Sequence, residues 1–262
     1  MNRSRKVKPL KAIIIVLFVL FVLFVVLFVV NETSLFKNDK THTFDEAFAK
    51  QMQGDALHTK SKGNQFVNAS KQDIKAAMTV DHKDSDLMYM DLSEPIEMSE
   101  DEVNDMLKGN GILEGHGKAF LEAQKENDVN VIYLVSHAQL ETGEGRSALA
   151  KGLRKGDARY YNFFGIGAFD RKAVKTGASY AQKAGWTSPD KAIKGGASFV
   201  RTQYFENGQL NLYQMRWNPQ SPATNQYASD IDWPAKIAAR MEVYYQKYGI
   251  KKDDIRKDFY KK

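Results

Sequence analysis

The sequence contains no cysteine, so no disulfide braces any part of it and its stability has to come from packing. Its five histidines, at positions 42, 58, 82, 116 and 137, are too scattered to form a ligand-like cluster, so neither a catalytic metal nor a cofactor is expected. No internal repeat is present, which excludes solenoid and propeller architectures. Long apolar runs are missing as well, with one exception, the 19 residues from Ala12 to Val30.

As a helix that run spans about 28 Å, close to the roughly 30 Å hydrocarbon core of a bilayer. Arg3, Arg5, Lys6, Lys8 and Lys11 precede it and Glu32 and Lys37 follow. The positive-inside rule therefore places the N-terminus in the cytoplasm and the chain after Asn31 outside. Val29-Val30-Asn31-Glu32 offers no small-residue cleavage site, so the run reads as an uncleaved signal anchor at the cell membrane. Phe, Val and Leu alternate densely along it without a small-xxx-small pattern, which suits packing against a polytopic membrane partner better than a tight helix dimer.

The formal net charge of +6 is unevenly spread. Five positives lie before the anchor. Beyond it, residues 31–110 carry 9 basic and 16 acidic side chains, and residues 111–262 carry 24 and 16. A basic outer module suits an anionic polymer as partner, and an exported domain argues against nucleic acid.

The expected order is a cytoplasmic tail (1–11), a transmembrane anchor (12–30), a stem (31–42), a helical N-terminal part of the outer region (43–110), a main domain (111–250) and a basic, frayed tail (251–262). Thr43…Glu46, Ser70…Asp73 and Ser99…Glu102 have the spacing of helix-starting caps, and Ser188-Pro189 and Pro234 open later helices. Gly54 to Asn68 reads as a polar loop, Leu87 to Leu92 as a short extended segment, and Lys151 to Arg159 as a basic hairpin or lobe suited to cover a groove. Arg216 to Pro219 and Asn225 to Tyr227 read as a proline-rich loop.

One carboxylic acid stands out. From Val129 the chain runs through an apolar helix to Glu141, and Gly143 stops it. The partial negative charge at a helix C-terminus disfavours a carboxylate there by a few tenths to about 1 kcal/mol. A proton-carrying carboxyl is what a glycosidase needs to protonate a leaving oxygen. The bland alternative is a frayed helix end with Glu141 in water. Downstream, Tyr160-Tyr161-Asn162-Phe163-Phe164-Gly165-Ile166-Gly167 combines rings that can stack on sugars with an amide that can donate and accept, although aromatic clusters are more often core.

Leu140-Glu141-Thr142-Gly143-Glu144-Gly145, Ser147-Ala148-Leu149-Ala150-Lys151-Gly152 and Tyr160 to Ile166 resemble the bacterial glucosaminidase domain of glycoside hydrolase family 73. Ala184-Gly185-Trp186, Met215 to Pro219, Gln226 to Trp233 and, upstream, Leu107 to Gly115 look like its staphylococcal autolysin branch, and the anchor makes the whole chain similar to the membrane-anchored staphylococcal glucosaminidases of the SagB type. The resemblance implies a mainly α, lysozyme-like fold with a small β flap, behind one transmembrane helix. It also implies cleavage of β-1,4 bonds in peptidoglycan on the reducing side of N-acetylglucosamine. Glu141 would be the general acid, Tyr160 and Asn162 would flank the sugar, Phe164 would line or support the site, and Trp217 and Tyr227 would line the groove. Asp157 and Asp170 are candidates for a second catalytic group, unless the substrate's own acetamido group takes that part. A muramidase or lytic transglycosylase, and a non-catalytic glycan-binding scaffold, remain as alternatives.

Overall fold

A computed structural model describes residues 16–23, 40–63, 65–148, 150–167 and 173–262 of two compact units, Met1–Thr41 and His42–Lys262. In the first unit residues 16–23 are helical with exposed apolar side chains. The remainder of the expected anchor and all of the tail before it lie outside the described residues, as does the stem through Asp39. Among the described residues no helix is long and apolar enough to cross a membrane.

The second unit is mainly helical, and its helices begin where local chemistry says they should. Thr43 caps α1 (Phe44–Gln53), Ser70 caps α2 (Lys71–Met78) and Ser99 caps α3 (Glu100–Leu107). In each the hydroxyl accepts from the third helical N–H while that residue's carboxylate accepts from the cap's own N–H. Two helices follow, α4 (Gly117–Asn127) and α5 (Val131–Thr142). A hairpin of β3 (Leu153–Lys155) and β4 (Ala158–Tyr160) comes next, then α6 (Ala173–Lys183), α7 (Pro189–Gln203), α8 (Leu212–Trp217) and α9 (Trp233–Tyr248). Helix α4 packs on α7 and α3, while α5 is held between α4 and α9.

Several expectations fail where long-range contacts outweigh local sequence. The polar stretch before Asn68 forms an antiparallel hairpin, β1 (Thr59–Lys62) and β2 (Gln65–Asn68). It folds because Thr59 joins the chain at Asp230, with Thr59 N–H donating to Ser229 O and Ile231 N–H to Thr59 O. Leu87 to Leu92 is not extended throughout: Asp86–Met88 is a 3₁₀ turn capped by the Ser85 hydroxyl, and Met90 makes a single bridge to Ile255. The basic C-terminus is fastened rather than frayed. Phe259 is buried against Tyr89 and Tyr213, and Arg256 N–H and Lys261 N–H donate to Tyr89 O and His42 O.

Arg216 and Trp217 lie in α8, not in a loop, and are fully buried. The guanidinium donates from Nε to Asp230 O and from Nη2 to Ser229 O, and Nη2 lies 2.9 Å from His58 Nδ1. Burial pulls this guanidinium down to about 9, with the Asp230 charge opposing the effect. Burial, then the neighbouring Arg216 charge, pushes the His58 imidazole down from 6.5 to about 4. The unfolded chain thus binds this proton more readily than the folded one, so stability is lost as pH falls from 6.5 through about 4. The gap is worth about 3 kcal/mol at ~1.4 kcal/mol per pH unit. Urea midpoints should drop over that window in the wild type and much less in His58→Gln; parallel profiles would remove His58 as the cause.

Candidate active site

Helix α5 is the axis of the site. The Asn130 side chain caps it by accepting from Tyr133 N–H, and donates in turn to the Tyr245 hydroxyl at 2.9 Å. Every residue from Val131 to Gln139 is buried, so the helix has no solvated face until it emerges at Leu140 and Glu141. Gly143, at φ 53°, ends it in the left-handed conformation that the sequence predicts.

The Glu141 side chain keeps 25% of its surface open. Its two carboxyl oxygens have different surroundings. Oε1 accepts from the Trp233 indole Nε1–H at 3.0 Å, and His137 Nε2 stands 3.6 Å from the same oxygen. Oε2 faces Gly165, where an added Cβ would lie 2.7 Å from it, closer than van der Waals contact allows. Gly165 also sits at φ +64°, so this position needs glycine for its backbone and for the space it leaves over the carboxyl.

Beneath the carboxyl lies an aromatic floor. The fully buried His137 ring meets Tyr133, Phe164, Tyr227 and Trp233, with ring centres 4.7–5.3 Å away. Tyr227 stacks on Trp233 at 5.0 Å and donates its hydroxyl to Phe164 O at 2.8 Å. Burial raises the Tyr227 and Tyr133 hydroxyls well above their ordinary value, with smaller contributions from neighbouring groups, so both stay protonated and able to donate. The rings reach this depth because α7 has no side chains in their way. A Cβ on Gly196 would lie 2.0 Å from the Phe164 ring, and one on Gly195 would lie 2.0 Å from Trp186 Nε1.

The residues expected at the site divide by what they touch. Tyr227 belongs to the floor. Phe164 supports the site rather than lining it, because its ring is fully buried. Tyr160, half-buried, ends β4 on the hairpin. Asn162 does not offer its amide to a sugar: it is 2% exposed, Nδ2 donates to Ile166 O and Gly177 O, and Oδ1 accepts from Phe164 N–H and Ile166 N–H. It folds the loop that brings Gly165 to Glu141. Trp217 is not on a groove wall, because at 1% exposure, with Arg216 4.0 Å over its ring, no face is open to a ligand. Asp157 is exposed in the turn between β3 and β4. Asp170 lies outside the described residues. Sequence reasoning missed Trp233, His137 and Gly165 as parts of the site. The i, i+4 spacing of His137 and Glu141 was a readable signal for one of them.

Two substitutions probe this geometry. Gly165→Ala should cost about 100-fold or more in kcat, because misplacing the reacting group by about 1 Å is enough for that; wild-type turnover would show that the loop yields freely. Asn162→Ala leaves two carbonyls and two N–H groups without their partner, each worth ~1–3 kcal/mol when buried. It should lower the thermal midpoint strongly, whereas a ligand-facing amide would weaken binding at an unchanged midpoint.

The glucosaminidase family profile, described as mannosyl-glycoprotein endo-beta-N-acetylglucosaminidase, matches residues 117–246. The bifunctional autolysin of Staphylococcus epidermidis is 45% identical over 194 residues, which cover 70% of this chain and 14% of that protein. That of Staphylococcus aureus is 41% identical over 196 residues, covering 70% and 16%. The chain thus spans about a seventh of the length of these relatives. Among solved structures, S. aureus Autolysin E in complex with the muropeptide NAM-L-Ala-D-iGlu is 59% identical with a TM-score of 0.80, covering 86% of this chain and 100% of that one. A catalytic mutant of Autolysin E, with glutamate replaced by alanine and in complex with the disaccharide NAG-NAM, gives a TM-score of 0.81 at the same identity and coverage. S. aureus glucosaminidase B is 38% identical with a TM-score of 0.59, covering 78% and 85%. Identity and coverage at this level, over a glutamate seated on an aromatic floor at a helix end, place the chain in the glucosaminidase family.

Proposed function

We propose that this protein is a membrane-anchored peptidoglycan hydrolase, an endo-β-N-acetylglucosaminidase that cuts the β-1,4 bond on the reducing side of N-acetylglucosamine, with Glu141 as general acid. The observation that carries this reading is the Glu141 carboxyl itself: one oxygen is held by Trp233, the other lies against Gly165, and the side chain keeps 25% of its surface exposed. Support comes from the relatives, since Autolysin E binds a NAG-NAM disaccharide and its catalytic mutant lacks a glutamate.

In the proposed reaction the proton on Glu141 passes to the glycosidic oxygen as the C1–O bond breaks and its electron pair stays with that oxygen. The electron pair reaching C1 comes from the substrate's own 2-acetamido oxygen. Water then attacks C1, the bond to that oxygen breaks with its electron pair returning to the acetamido group, and Glu141 takes the water proton back. This route needs only one enzyme carboxyl; of the two candidates for a second one, Asp157 stands exposed in the hairpin turn and Asp170 lies outside the described residues. The basic hairpin and the net positive residues 111–262 suit a polymer bearing carboxylates. The apolar run 12–30 keeps the activity next to the membrane and offers a packing surface to a polytopic partner.

Glu141→Gln should leave the thermal midpoint unchanged and abolish hydrolysis of purified peptidoglycan; an active variant would remove Glu141 from the mechanism. Mass spectrometry of wild-type products should find reducing-end N-acetylglucosamine, while reducing-end or 1,6-anhydro muramic acid would point to a muramidase or transglycosylase. NMR during turnover should show retention of anomeric configuration. Cell fractionation should find the protein with membranes, and deletion of residues 12–30 should release it.

A further inference from the structure

His137 has no part in the proposed reaction, yet its ring is enclosed by Tyr133, Phe164, Tyr227 and Trp233 directly beneath the Glu141 carboxyl. Its imidazole is fully buried, and Nε2 has no hydrogen-bond partner within ordinary distance. A buried imidazole nitrogen left unpartnered costs about 1–3 kcal/mol, so the position calls for an explanation. The other nitrogen, Nδ1, lies 3.0 Å from the Tyr133 hydroxyl, whose remaining neighbour is the Met215 sulfur at 3.7 Å. A thioether is a weak acceptor and an imidazole nitrogen a good one, so the tyrosine proton goes to Nδ1. The ring proton is thereby fixed on Nε2, which faces Glu141 Oε1 at 3.6 Å.

We propose that His137 is a positioning residue of the general acid: its Nε2–H, oriented by Tyr133, joins the Trp233 indole N–H on Glu141 Oε1. This makes Oε1 the accepting oxygen and Oε2, under Gly165, the one that carries and delivers the proton. The inference rests on the hydrolase reading and adds to it the choice of oxygen and the group that makes the choice. Before transfer, Oε1 is a neutral carbonyl-like oxygen and the His137 contact is long. As the O–H bond at Oε2 breaks, negative charge spreads to Oε1, and a contact at 3.6 Å can shorten into a charge-assisted hydrogen bond. The interaction is therefore stronger in the transition state than in the ground state, which raises kcat rather than binding. Being fully buried, His137 cannot touch the sugar. Apart from Glu141, the titratable side chains against His137 are Tyr133 on α5 and Tyr227, and Tyr204 at the end of α7 packs on Tyr227; burial raises all three, so they stay neutral.

The test combines kinetics with a readout that needs no turnover. In ¹⁵N-labelled full-length protein, imidazole NMR should find the His137 proton on Nε2, with a signal that moves on Glu141→Gln; a proton on Nδ1 would overturn the proposal whether or not the protein cuts glycan. In kinetics, His137→Phe should lower kcat about 10- to 100-fold with little change in KM and move the alkaline limb of the kcat/KM profile to higher pH. His137→Gln, whose amide N–H can reach the Nε2 position, should recover much of the loss. A folded His137→Phe with wild-type kcat and an unmoved limb would overturn the proposal, and so would equal impairment of both variants at an unmoved limb. Should the phenylalanine variant fail to fold, Tyr133→Phe decides: kcat is expected to fall several-fold at constant KM, and unchanged kcat with an unchanged profile would overturn the assignment. A wild type that cuts no glycan but shows the Nε2 proton would fault the hydrolase reading alone.

Discussion

The hydrogen bond from the Trp233 indole to Glu141 Oε1 ties the end of the central helix to the start of α9, and much of the molecule serves to place its two ends. Trp233 opens α9 immediately after Ser229 to Asp232, the stretch that Thr59 clamps by two backbone hydrogen bonds and that Arg216 holds through Ser229 O and Asp230 O. Its ring is stacked on Tyr227, which is anchored in turn to Phe164 O. The geometry of one carboxyl oxygen thus depends on residues from near Thr59 to Trp233. The hairpin of β1 and β2 and the fastened C-terminus lie outside the region matched by the family profile, yet the hairpin braces the catalytic wall and both belong to the same compact unit.

The site also depends on side chains that are not there. Glycine inside a helix costs about 0.5–1 kcal/mol against alanine, and α7 carries two in succession, Gly195 and Gly196. The rings of Trp186 and Phe164 occupy the space this leaves. Burying one large ring contributes roughly 1.5–3 kcal/mol, so the exchange favours the fold. It also gives α7 a part in the chemistry, because Phe164 is both a wall of the His137 cage and the carbonyl that receives the Tyr227 hydroxyl. Gly165 does the same over the carboxyl, where the missing Cβ leaves room for Glu141 Oε2.

Helix starts were legible in the sequence because a cap is a local event: a hydroxyl, a backbone N–H and a carboxylate three residues on need nothing from the rest of the chain. The same locality made Glu141 visible as an acid at a glycine-stopped helix end. Aromatic residues were harder to place. Trp217 and Tyr227 both stood out as ring-bearing candidates, but only Tyr227 reaches the site; Trp217 is turned into the core under Arg216, and no pattern around it in sequence separates the two cases. Asn162 carried the right functional groups for a sugar and spends all of them on its own loop.

By itself the sequence determined the helical character, the absence of disulfides and the family, and it marked Glu141 as the candidate proton donor, since each depends on residue chemistry or on spacing within a few turns. Tertiary structure alone decided which oxygen of Glu141 is held by Trp233 and which lies against Gly165, that His137 lies beneath it, and that a polar loop near residue 60 becomes a strand. Those outcomes come from contacts between segments far apart in the chain, whose free energy exceeds local propensity and leaves no periodic trace in the order of residues.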